Sequence, residues 1–229
     1  MFTKRINTMW VLGIALAFVV SLGASSASAD LINFDLGTGN AAISGFPGPY
    51  EHVVVNLTDA THATITFTSL TNSGNIYLMG GQGAVAVNVN AASWTLGTIT
   101  GSNAGTGFTP GPWSDAGAGN EDGFGSFNQT IDSFDGYTHS SDTIIFSMTN
   151  TSGTWASASN VLIGNSGNFT AAAHVFVTSS PANASNGAIA TGFATNGPVS
   201  TPEASSTLLL SLALIGVAIV AKKMAVARV

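Results

Sequence analysis

The chain of 229 residues has no cysteine, so no disulfide staples it. Charge is nearly as scarce: 7% of residues are charged, against about 25% in an ordinary soluble domain. Basic residues are the scarcest of all, and they sit only at the ends. The five are Lys4, Arg5, Lys222, Lys223 and Arg228, and none falls between Asp30 and Pro202, a stretch that carries ten acids. Nucleic-acid binding draws its affinity from Lys and Arg neutralising phosphates, so that class is excluded, and tight recognition of nucleotides or phosphosugars goes with it. Salt bridges from Lys or Arg are impossible in the middle, which must be held by burial and hydrogen bonding.

Catalytic signatures are absent too. No Gly-x-Ser-x-Gly elbow and no His-Glu-x-x-His occurs, and Gly80-Gly81-Gln82-Gly83 lacks the lysine of a phosphate loop, so it reads as a turn. His52, His62, His139 and His174 show no zinc-motif spacing and read as isolated residues. Asp132 and Asp135 are a candidate carboxylate pair for glycoside hydrolysis, but a spacing of three puts them on opposite faces of a strand.

Long apolar runs are present, one at each end. Lys4 and Arg5 precede an apolar stretch from Met9 to Leu22, and Ala24 to Ala29 closes on an Ala-x-Ala pattern. Residues 1–29 therefore read as a secretory signal peptide cleaved after Ala29. Ala204 to Ala221 is uncharged and about 27 Å long as a helix, close to the ~30 Å hydrocarbon core, and Lys222 and Lys223 follow it at once. Basic residues stay on the cytoplasmic side, which places everything before the run outside.

Thr201-Pro202-Glu203-Ala204-Ser205, the apolar run and the two lysines together resemble the PEP-CTERM sorting tail of exported bacterial proteins. Pro202 and Glu203 match the first two motif positions; Ala204 stands where the third would be proline, and the basic cluster is two lysines instead of an arginine run. The resemblance covers roughly the last 29 residues. It implies recognition by an exosortase, a membrane-embedded processing enzyme, and delivery to the cell surface or extracellular matrix.

Between the addresses, period-two alternation dominates. Val53, Val55 and Leu57; Ile65 and Phe67; Val85, Val87 and Val89; and Ile144, Phe146 and Met148 alternate mostly with Thr, Asn, Ser and Ala, as half-buried strands do. Weaker strands are expected at 31–34, 76–79, 94–99, 127–134 and 174–178, and the one plausible short helix at 156–163. The expected fold is all-β, a single antiparallel β-sandwich or jelly-roll-like domain over 30–182, with Gly101 to Gly123 as a long Gly/Pro loop. Residues 183–200 read as a polar spacer and 201–229 as the sorting tail.

The candidate ligand set is acidic: Asp115, Asn120, Glu121 and Asp122 offer hard oxygen donors on a Gly-rich segment, which is what calcium takes. The spacing does not match an EF-hand, since Gly117 and Gly119 fall where ligands would stand. Trp94, Trp113, Trp155, Tyr50, Tyr77 and Tyr137 are candidates either for the core or for stacking on sugars. The leading expectation is a non-enzymatic surface or matrix protein. A carbohydrate-binding or adhesive module working with extracellular polysaccharide, aided by calcium, is the alternative, and a secreted hydrolase comes third.

Overall fold

Wherever apolar and polar residues alternate, the chain is extended. A computed structural model describes residues 30–134 and 136–197. Among them the strands are β1 (Asp30–Leu36), β2 (Thr38–Gly39), β3 (Glu51–Leu57), β4 (His62–Ser69), β5 (Thr71–Asn72), β6 (Asn75–Met79), β7 (Val85–Val87), β8 (Trp94–Ser102), β9 (Trp113–Glu121), β10 (Gly125–Ser133), β11 (Thr143–Asn150), β12 (Ala171–Ser179) and β13 (Ala190–Thr195). They form two antiparallel sheets. One has five strands in the order β1-β3-β4-β11-β8. The other has eight, running β2-β13-β12-β7-β10-β9, with β6 beside β12 and β5 beside β6.

The alternation sets which faces meet. Val53, Val55, Ile65, Phe67, Ile144, Phe146 and Met148 from the smaller sheet share one buried cluster with Tyr77, Val85, Val87, Ile131, Val175 and Val177 from the larger. Phe67 and Phe146 stack with centroids 6.2 Å apart. Each such side chain contributes about 1.5–3 kcal/mol on burial, which is what a domain without disulfides must rely on. The fold is all-β and sandwich-like, with only single 3-10 turns at Tyr137–His139, Ala158–Asn160 and Ala184–Asn186. The second of these lies inside the stretch expected to be helical.

Two sequence expectations are corrected. The long loop from Gly101 to Gly123 contains strand: β8 runs on to Ser102 and β9 occupies Trp113–Glu121. Its Gly, Ala and Ser residues have low strand propensity and no alternation, so pairing with β10 imposes the extended form, with register irregularities at Phe127/Thr130 and Thr130/Ile131. The polar spacer likewise contains β13, which pairs with β12 from Ala172↔Thr195 to Val177↔Ala190. The sheet therefore continues past residue 182. Among the described residues no helix is long and apolar enough to cross a membrane. Ala29, Pro202, Glu203 and the apolar run 204–221 lie outside the described residues.

Candidate functional site

The larger sheet has an unusual outer face. Val85, Val87, Ala171 and Ala173 point into the main core, so Ala86 and Ala172 between them point away from it. Onto these two alanines the β9–β10 hairpin folds Phe124 and Phe127, with Phe169 and Phe193 packed alongside, making a second small core. Small side chains beneath and aromatics above let the hairpin lie close. Asn165 pins its tip: Nδ2 donates to the carbonyls of Phe124 (3.0 Å) and Ser126 (3.1 Å), while Oδ1 accepts from the N–H of Gly167 (2.9 Å).

Folding the hairpin back carries Glu121 under it, to 2% exposure, against Gly83. A Cβ at residue 83 would lie 2.6 Å from Glu121 Oε2, and the backbone there has φ +62°, so glycine is required on both counts. The Gly83 N–H donates to Asp132 Oδ1 (2.8 Å), which brings the second carboxylate to the same place. Beside them opens a cleft of about 370 Å³, lined by Gln82, Gly83, Glu121, Thr130, Asp132 and Phe193 among others. His174 stacks on Phe193 at 4.5 Å and 15° and reaches Thr191 Oγ1 at 2.8 Å, fixing the ring at the cleft wall.

Desolvation, and then the negative charge of Asp132, push the Glu121 carboxyl up to about 8 from an ordinary 4.5. At neutral pH it is a neutral acid and so a hydrogen-bond donor. Its Oε2 has no partner among the described residues. The cleft thus combines a donor acid, an acceptor carboxylate, a hydroxyl from Thr130 and one aromatic edge, with no cation to hold an anion. Neutral hydroxyl-rich ligands suit that set.

The sequence-predicted ligand set divides. Asn120 and Glu121 line the cleft. Asp122 turns outward, where Asn40 Nδ2 reaches its Oδ2 at 3.3 Å. Asp115 sits six residues back along β9, about 20 Å by strand rise, accepting from Gly117 N–H (2.9 Å) and Gln129 Nε2 (2.8 Å). Among the described residues no group of three or more His, Cys, Asp or Glu gathers as metal ligands would. Asp135 lies outside the described residues.

The histidines are dispersed. His52 pairs with Asp35 (2.6 Å), His62 with Asp59 (2.9 Å), and His139 Nδ1 lies 2.8 Å from the Thr109 carbonyl. Hydrogen bonds from the Thr61 backbone, then from His62, hold the exposed Asp59 carboxyl well below the usual range. Most of the aromatics are structural. Tyr50, Tyr77 and Trp155 are buried, and the indole N–H of Trp94 donates to Gln129 Oε1 (2.9 Å). Phe193, which the sequence does not single out, is the aromatic at the cleft. Nothing in its surroundings along the chain announces it, because the hairpin that covers it is about 70 residues away. Set against protein-family models, curated proteins and solved structures, the chain matches none.

Proposed function

We propose that the chain is an exported bacterial surface or extracellular-matrix protein, sorted through its PEP-CTERM-like tail, whose ectodomain has a non-enzymatic structural or interaction role. The carrying observation is the charge layout: every Lys and Arg lies beside a terminal apolar run, and the body between has none. Cleavage after Ala29 releases the N-terminus, the apolar run 204–221 anchors the chain in transit, and an exosortase-type enzyme acts at Pro202–Glu203. The ectodomain is jelly-roll-like in this reading. Cell fractionation tests it. The tagged chain is expected at the envelope or outside, and deletion from Thr201 onward abolishes that sorting; intact chain in the cytosol, signal peptide retained, overturns the proposal.

A second reading, favoured by the cleft, makes the ectodomain a carbohydrate-binding module for extracellular polysaccharide. Glu121, Asp132 and Thr130 would address sugar hydroxyls and Phe193 a ring face. Calcium at Asn120 and Glu121 is the ion-assisted form of the same reading. Glycan-array binding with and without calcium tests both: Phe193→Ala is expected to lower binding about tenfold, roughly the worth of one stacking contact. Equal binding by parent and variant removes the cleft from the account.

A further inference from the structure

A second buried carboxyl lies far from the cleft, at one end of the main core. In β3 it continues the inward phase of Val53, Val55 and Leu57: Glu51 is 0% exposed, and neither carboxyl oxygen has a partner among the described residues. Directly across the ladder stands Ser69, on the same face, its hydroxyl also buried and unpartnered. The next position in the row is Asp142, whose carbonyl accepts the Ser69 N–H (2.7 Å). Beside it the wholly buried Ser141 has an unpartnered hydroxyl, and its backbone exchanges hydrogen bonds with Met79 of the other sheet (2.7 and 2.8 Å).

Four orphaned oxygens therefore lie at one end of the core. A buried donor or acceptor left unpaired costs about 1–3 kcal/mol, and a bare carboxylate several times that. Protonating Glu51 removes the charge but leaves its oxygens unpaired. No Lys or Arg exists between residues 30 and 202 to supply a counter-charge, and a cation from solution can supply one. All the donors are hard oxygens. Asp142, held by Ser102 Oγ (3.2 Å) and the Ala104 N–H (2.6 Å), is half-buried and lines a separate cleft of about 260 Å³, so one member of the set reaches solvent.

We propose that Glu51 and Asp142, with the Ser69 and Ser141 hydroxyls, form a buried site for a hard divalent cation, calcium by ligand type, that ties β3, β4 and β11 together at this end of the sandwich. The site is independent of the cleft and of the sorting reading. Burial first, and the Asp142 charge second, hold the Glu51 carboxyl well above the usual range, so without an ion the fold loses stability as pH rises above the ordinary glutamate value. Bound calcium reverses that loss.

The test is thermal melting of the purified full chain after chelation, at pH 5 and pH 8, with calcium, magnesium or potassium added, and with bound metal counted by elemental analysis. Calcium is expected to raise the midpoint by several degrees at pH 8 and by less at pH 5, with potassium inert. Glu51→Gln melts no lower than the chelated parent at pH 8, binds one fewer calcium and loses the response; Asp142→Asn weakens calcium binding at least tenfold. Asp35→Asn, an exposed acid on β1 outside both the cleft and the buried site, keeps the response. An undiminished calcium response in both Glu51→Gln and Asp142→Asn overturns the proposal, as does a chelated parent whose midpoint falls with pH and ignores calcium.

Discussion

The two sides of the larger sheet solve the same packing problem differently. Its inner face meets the smaller sheet over a continuous apolar core, in which Phe67, Phe146 and Tyr77 are fully or almost fully buried. On its outer face the β9–β10 hairpin lays Phe124 and Phe127 on Ala86 and Ala172, Tyr137 packs on Phe176 further along β12, and an open, acid-lined cleft lies beside the hairpin. The first arrangement supplies stability. The second uses a little apolar contact to fold a carboxyl, Glu121, away from water beside an open cleft. The sealed core and the open cleft thereby lie on opposite faces of one sheet.

Substitutions should separate the faces. Phe67→Ala opens a cavity in the sealed core and is expected to cost about 3–5 kcal/mol in chemical unfolding. Phe127→Ala should cost less, roughly 2–3 kcal/mol, because a site near the surface collapses more completely. Equal costs would mean that the hairpin and the sandwich core form one energetic unit. Next in size is Gly83→Ala, which combines a positive φ with a contact onto Glu121 and is expected to cost about 1–3 kcal/mol. Much of that should vanish when Glu121 is also shortened to Ala, and additive costs would show that the contact is not the cause. The two faces differ in pH dependence as well. A carboxyl raised in the native state binds more protons than in the unfolded chain, so stability drains away as pH rises from 4.5 through about 8. Glu121→Gln should flatten that slope, as read from melting points across the same window, while leaving the acid-side midpoint unchanged.

Why some of this was readable from residue order, and some not, follows from the same contrast. Strands β3, β4 and β11 carry their burial in their own alternation, so they stand out along with the all-β class, and β12 shows it only weakly. Even Glu51 leaves a trace, since it falls two residues before Val53 in the inward phase. Strands β9 and β13 carry no such pattern; Gly, Ala and Thr become strand there because β10 and β12 offer unpaired edges. The cleft is harder still. It exists because Gly83, Glu121, Asp132 and Phe193 meet, and each comes from a different segment. Composition told that the acids have no basic partner between residues 30 and 202, but only the fold tells which two acids are hidden.

The chain has only three glutamates, Glu51, Glu121 and Glu203, so carboxyl-carbon NMR of a glutamate-labelled sample resolves the issue directly. With calcium chelated, one resonance is expected to titrate at about 8 and to disappear in Glu121→Gln, and a second to titrate well above the ordinary 4.5 and to disappear in Glu51→Gln. Three resonances all titrating at about the ordinary value would show that neither carboxyl is buried, and the division of labour between the two faces would fail with them.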